Sequence, residues 1–447
     1  MRGLRSFLGL FAILIALGAY LYFVESKQTP GGDGDDKKEK VFAVEADKID
    51  EVTIKSASGE RTTLKKSGSD WQIVAPVTAV PDTAEVSGVT SNLATLEMQR
   101  VIDENAADLK EYGLAEPRIE VAFKADGKQQ AIQIGDKTPT GTDLYAKLPD
   151  QKKVFLISSY LESSFNKTTF DLREKAALKL DREKVDALEI ATADRQLRFA
   201  RTEGEWQMTA PVKGRTDFTA VESLVGRLGT AQMKSVAAPE AADLKPYGLD
   251  KPAATVRIGT GSSQAVLLLG AKAPEEGNVY AKDQSRPAVF TLESSLLDEL
   301  KKDAGEFRQK DLFDARSFNT TRVEIARGGQ TIAFEKTKVK DKDGKEEEKW
   351  KQVAPAAKDV DAAKVDALLT AITGARADTF QADASKTGLD KPELTVTLKF
   401  DDGKKEERVA FARSGSDAYA SRAGEPGAAK IPASTVESIV KALEELK

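Results

Sequence analysis

DWQIVAPV at residues 70–77 returns as EWQMTAPV at 205–212 and as KWKQVAPA at 349–356, and these stretches hold Trp71, Trp206 and Trp350, all the tryptophans of the chain. Further along, LKEYGLAEPRIEVAF carries Gly113, LKPYGLDKPAATVRI carries Gly248 and SKTGLDKPELTVTL carries Gly388. The Trp to Gly separations are 42, 42 and 38 residues. Tyr145 in LYAKL, Tyr280 in VYAKD and Tyr419 in AYASR follow after 32, 32 and 31 more. VFLISSYLESSF, VFTLESSLLDEL and the looser AKIPASTVESIVKAL come next, and LREK at 172–175 matches FRQK at 307–310 at an offset of 135. The third copy stops short of that last element. Spacing this regular marks internal repetition, and units of roughly 130 residues are too long for solenoid repeats of 20 to 50. They predict tandem globular domains at 42–176, 177–311 and 312–447.

Within each unit the pattern is α+β. VTIK, RTTLKK and WQIV, then LEI, QLRFAR and WQM, then VEI, TIAFEK and WKQV alternate between turn signals, which favours an antiparallel meander. Asp82, Asp217 and Asp361 each lie 11 residues after their tryptophan, where a carboxylate suits a helix N-cap. Apolar residues at offsets 15, 18 and 22 (Val86, Val89 and Leu93 in the first copy) then mark one face of an amphipathic helix in all three. The Gly-Leu elements, with Pro117, Pro252 and Pro392 close behind, read as turns in which glycine supplies a positive φ. Two further strand pairs and a short closing helix complete each domain. The expectation is about two helices on a mainly antiparallel sheet of roughly six or seven strands. In the third copy TKVKDKDGKEEEK inserts between Thr337 and Lys349, and its Asp343-Gly344 predicts a solvated hairpin tip. A calcium loop is the sharper alternative there, but the ligand spacing is missing.

The composition narrows the chemistry. In 447 residues, 40% are hydrophobic and 31% charged, so substantial cores are available. The formal net charge of −5 offers no overall field for a polyanion, so no nucleic-acid partner is expected. With neither histidine nor cysteine, Ser-His-Asp and Cys-His catalysis, zinc fingers, disulfides and iron-sulfur clusters on cysteine are excluded, which leaves oxygen-ligand metal binding, carboxylate catalysis or no catalysis. No pair among the 72 acidic residues stands out as an acid and base couple. Neither a metal nor a cofactor is expected.

The amino terminus places the chain. Arg2 and Arg5 in residues 1–6 precede Phe7 to Val24, 18 residues without a charge. As a helix this run reaches about 27 Å, enough to cross a bilayer core, with Tyr20, Tyr22 and Phe23 at its far end as an interfacial belt. A cleaved signal peptide is the rival reading, but Leu17-Gly18-Ala19 is a poor processing site. The two arginines keep the amino terminus cytoplasmic and put the rest in the periplasm, beyond a flexible linker at 25–41.

The recurring residues each have a structural and a functional reading. The tryptophans are core residues or stacking platforms for glycan or peptide, and packing is favoured. Asp82, Asp217 and Asp361 are caps before they are catalytic carboxylates. Arg173 with Lys175, and Arg308 with Lys310, sit at the predicted joints, where they pair with neighbouring carboxylates or meet an anionic partner.

The Trp-Gln-x-x-Ala-Pro stretch, the Tyr-Gly-Leu-x-x-Pro turn and Leu-Arg-x-Lys behind one amino-terminal span together resemble a bacterial family whose domain is of unknown function. That resemblance implies a membrane-anchored extracytoplasmic repeat protein of the kind encoded beside gliding-motility-type ABC transporters and their auxiliary subunits. It covers essentially the whole chain and brings no catalytic residues. Thr387 stands where Tyr112 and Tyr247 stand in the other copies, and the third copy lacks the closing Arg-x-Lys. The function expected is a non-enzymatic inner-membrane accessory or scaffold with transporter subunits as partners. A cell-wall glycan or peptide binding module is the alternative, and a carboxylate hydrolase comes third.

Overall fold

The computed structural model describes residues 39–340 and 346–446. The expected span at 7–24, residues 1–6, most of the 25–41 linker and the Asp343-Gly344 tip lie outside them. Among the described residues no helix is long and apolar enough to cross a membrane. One compact unit ends at Lys175, and a second begins at Ala176 and holds the remaining two sheets.

The first unit opens with β1 (Ile49–Lys55), β2 (Arg61–Ser67) and β3 (Asp70–Ala75). After the helix Thr83–Ala94 come β4 (Arg100–Asp103), β5 (Ile119–Ala125), β6 (Lys128–Lys137), β7 (Asp143–Lys147) and β8 (Val154–Ser158). All ladders are antiparallel in the order β3-β2-β1-β5-β6-β7-β8-β4. The second and third sheets repeat this order with nine strands each, the ninth being the two-residue edges Gly214–Arg215 and Lys358–Asp359. The expected six or seven strands are thus too few. The missed members are these short edges and the strand after the helix, Arg100–Asp103, Ser235–Ala238 and Thr379–Gln381, which are too short to show alternation.

The core lies between the sheet and its helices. Along β1, Val52 and Ile54 are buried while Thr53 faces outward, the period-2 signature of a half-covered sheet, and an irregularity between Ile49 and Glu51 lets Ile49 join the same core. Val86, Val89 and Leu93, then Val221, Leu224 and Leu228, then Val365, Leu368 and Ile372 bury the predicted helix face. Each such side chain contributes about 1.5–3 kcal/mol on burial. The helices are Thr83–Ala94, Phe218–Thr230 and Ala362–Thr373. The third domain closes with a full helix, Ala433–Glu444, rather than a short one, because Val436, Ile439 and Leu443 give it its own apolar stripe.

One local device recurs beside each tryptophan. The pairing of the second and third strands slips by one residue, between Thr63 and Leu64, Arg198 and Phe199, and Ala333 and Phe334. The extra residue, Val74, Thr209 or Val353, bulges outward, which is why the two valines stay exposed. The Ala-Pro bond that follows is cis in all three copies.

Candidate functional site

The recurrent residues are structural in their contacts. Asp82 accepts from the amides of Ala84 and Glu85, Asp217 from Ala220 and Asp361 from Ala363, so each caps the helix it precedes. Trp206 and Trp350 are buried and Trp71 is half-buried against the first core, which leaves no repeated aromatic platform at these positions. The Trp206 Nε1–H donates to Glu222 at 2.7 Å, tying its strand to the helix behind it.

The glycine and tyrosine markers meet on the other face of the sheet. Gly113, Gly248 and Gly388 have φ of 66°, 64° and 75°, ending their turns in the left-handed region. The turn lays Tyr112 against Tyr145 with ring centroids 5.1 Å apart, and Tyr247 against Tyr280 at 5.0 Å. With Leu114 and Val154, and with Leu249 and Val289, these rings build a second, smaller core. That accounts for the unbroken apolar runs VFLI and VFTL, since Val154 faces this cluster while Phe155 and Ile157 face the main one. Two glycines the sequence reading did not single out make the docking possible. A Cβ on Gly135 or Gly270 would lie 2.1 or 2.2 Å from the carbonyl oxygen of Tyr112 or Tyr247. A glycine within a strand pattern is itself a signal of close backbone approach. In the third domain Ala412 holds that strand position and the buried Thr387 holds the tyrosine's, its hydroxyl donating to the Ala384 carbonyl at 2.6 Å.

The four basic residues of the joints divide. In the first unit Arg173 bridges in the backbone to Pro81, and the Lys175 ammonium donates to the Asp171 carbonyl at 2.9 Å. In the second unit Lys310 lies 3.7 Å from Glu306, while Arg308 is only 8% exposed. Its guanidinium lies 3.9 Å over the Phe380 ring and bonds Glu425 at 3.1 Å. Its charge is therefore committed inside the unit.

Arg308 belongs to the densest ionic network of the described residues, which joins the second sheet to the third. Arg215 bonds Glu425 through Nε at 2.7 Å, Asp314 through Nη1, and the Asp311 carbonyl through Nη2 at 2.8 Å. Arg422 bonds Glu407 at 2.7 Å and Asp314 at 3.3 Å. Glu407, 4% exposed, also accepts from the Asp314 and Ala315 amides at 2.9 and 3.3 Å. Burial pushes the Glu407 carboxyl up, against the pull of Arg422. Burial also acts on Asp314, but Arg215 and Arg422 outweigh it and hold that group below the usual aspartate range. Farther out, Arg316 and Arg376 share Asp311 at 2.8 and 3.3 Å. Such a network suits the fixing of registry between two modules. No spacing rule announced it, because Arg215 and Glu425 are 210 residues apart.

The outward faces of the sheets differ from one domain to the next. The register sets Thr53 beside Ala122, Glu189 beside Arg257 and Glu324 beside Thr397. What the repeat preserves is the packing.

The chain matches the family described as Domain of unknown function (DUF4340) over residues 71–205, 206–392 and 350–447, and it belongs to that family. No curated protein matches it. Among solved structures, the DNA polymerase sliding clamp from Pseudomonas aeruginosa shares 8% identity over 87% of this chain and 93% of its own, at a TM-score of 0.15. The DNA polymerase III subunit beta from Pseudomonas aeruginosa shares 9% over 86% and 91%, at 0.16. Likeness that slight carries no argument about this chain.

Proposed function

We propose that this chain is a non-enzymatic, membrane-anchored scaffold. Residues 7–24 hold it in the bacterial inner membrane with the amino terminus cytoplasmic, and the repeated domains stand in the periplasm. There it serves an ABC-type, gliding-motility-like transporter or a related envelope complex as an accessory. One observation supports this above others: the side chains that recur from copy to copy cap, dock or clasp, so repetition multiplies a structural module while the outward faces vary. Varied faces on a constant frame suit a protein that holds several partners. The test is crosslinking of the native protein in intact cells, solubilisation of the membranes and mass spectrometry of what co-purifies. An ABC permease or its auxiliary subunit is expected. Recovery of the protein with no transporter subunit overturns the reading.

A further inference from the structure

In the first two domains an extended closing segment pairs with the chain just before the helix cap, each time through the same two backbone bonds. Arg173 bridges Pro81, with the Asp82 amide donating to the Leu172 carbonyl at 2.8 Å and the Glu174 amide to the Val80 carbonyl at 2.9 Å. Arg308 bridges Thr216, with the Asp217 amide donating to the Phe307 carbonyl at 2.9 Å and the Gln309 amide to the Arg215 carbonyl at 3.1 Å. Val360 is the counterpart in the third domain, 10 residues after Trp350 as Pro81 and Thr216 follow Trp71 and Trp206. There the Asp361 amide and the Asp359 carbonyl have no hydrogen-bond partner among the described residues. Pro81 and Thr216 are buried, whereas Val360 is half-buried between the exposed Asp359 and Asp361. Leu446 is buried in the third core as Leu172 is in the first, but its carbonyl accepts from the Lys358 ammonium at 3.2 Å rather than from the Asp361 amide.

We infer that this uncovered edge, at residues 359–361, receives an extended basic segment of a partner protein, which bridges Val360 as Arg173 and Arg308 bridge Pro81 and Thr216. Unpaired backbone groups at a sheet edge are a template for another strand, and strand addition draws its affinity from those main-chain bonds. The two filled copies define the occupant's backbone: a carbonyl for the Asp361 amide, a basic residue at the bridge, then an amide for the Asp359 carbonyl. The rim defines its charge. Val80 and Arg215 hold the first rim position in the other copies, and here it is Asp359, its side chain 91% exposed and paired among the described residues only with Lys351, at 3.5 Å. Two other cations of this stretch, Lys358 and Lys364, are engaged by the Leu446 and Glu445 carbonyls at 3.2 and 2.9 Å. With Leu446 filling the third core from within, the occupant brings backbone and charge alone. The inference goes beyond the scaffold reading, since it holds whatever complex the chain serves.

The test uses the full chain labelled with 5-fluorotryptophan and the peptide acetyl-Glu-Phe-Arg-Gln-Lys-amide, the sequence of residues 306–310. Trp350 adjoins Lys351, which pairs with Asp359, so millimolar peptide should shift the Trp350 resonance saturably and leave those of Trp71 and Trp206 in place. N-methylation of the peptide's glutamine removes the donor to the Asp359 carbonyl and should weaken binding about tenfold, the contribution of one hydrogen bond. Asp359→Lys, a change at an exposed side chain, should weaken it about fivefold by reversing the rim charge. No shift of Trp350, or a shift shared by all three resonances, overturns the proposal. So does an N-methylated peptide that binds equally well, because the edge is then not used, and so does an Asp359→Lys protein that binds as the parent does. Concentration-dependent self-association in sedimentation, reversed by the peptide, gives the edge to a second copy and overturns its assignment to a partner.

Discussion

At the scale of single residues, the repeat is held by close approach. Gly135 lies in the middle of β6 with no positive φ to explain it, and its role is to admit the Tyr112 carbonyl, which a Cβ would meet at 2.1 Å. Gly135→Ala should destabilise the first unit by about 2 kcal/mol or more, as overpacking against backbone does. Gly88, inside the helix Thr83–Ala94, has nothing within 4 Å of its would-be Cβ, so Gly88→Ala should be neutral or stabilise by up to about 1 kcal/mol. Urea unfolding read from Trp71 measures both, and equal effects would remove the docking argument. The third domain already carries the paired change, with Thr387 for the tyrosine and Ala412 for the glycine. Loss of the ring and loss of the space for its turn go together.

Among elements, the helix and the strands behind it are coupled through polar links laid over the apolar face. Glu222 on the helix Phe218–Thr230 accepts from Trp206 at 2.7 Å and meets Arg182 at 3.3 Å and Arg201 at 3.4 Å. Burial alone would push this carboxyl up, but the Trp206 and Arg182 hydrogen bonds and the nearby guanidiniums outweigh it, and its folded value lies below the usual one. A depressed carboxylate stabilises the fold fully above its unfolded pKa, near 4.3, and that contribution is lost as pH falls through the folded value. Glu222→Gln should therefore cost about 1 kcal/mol from pH 7 down to about 5, and the gap should close below about 4. Stability curves of both proteins against pH check this, and a gap that widens on acidification contradicts it. Much of this level was legible beforehand. Three helices with Asp caps and a face at offsets 15, 18 and 22 followed from period and spacing, because local chemistry writes them. The short edge strands did not, since two to four residues hold no period.

For the molecule as a whole, the repeat explains the domains but not how the second and third are joined, because, Arg308 apart, the joint uses residues outside the repeated markers. Arg308 was visible as half of a recurring Arg-x-Lys, yet its partner Glu425 lies 117 residues away in a turn with nothing to flag it. Glu425 accepts from Arg215 and Arg308 and stands 3.6 Å from Arg422, so Glu425→Ala leaves a buried guanidinium without its carboxylate. Breaking a buried pair on one side costs about 3–5 kcal/mol, whereas a rim pair contributes about 1 kcal/mol or less. Arg376, 66% exposed, is the rim control, and Arg376→Ala should change little. The tryptophans fall one to each domain, so a protein labelled with 5-fluorotryptophan reports each sheet by its own resonance. In the unaltered protein the Trp206 and Trp350 signals should disappear together as urea rises, because the network couples their domains. In Glu425→Ala they should separate, the less stable domain melting first. Coincident loss in the variant, with a midpoint within about 1 kcal/mol of the parent, would show that apolar contacts alone join the two domains and that the arginines are ornament.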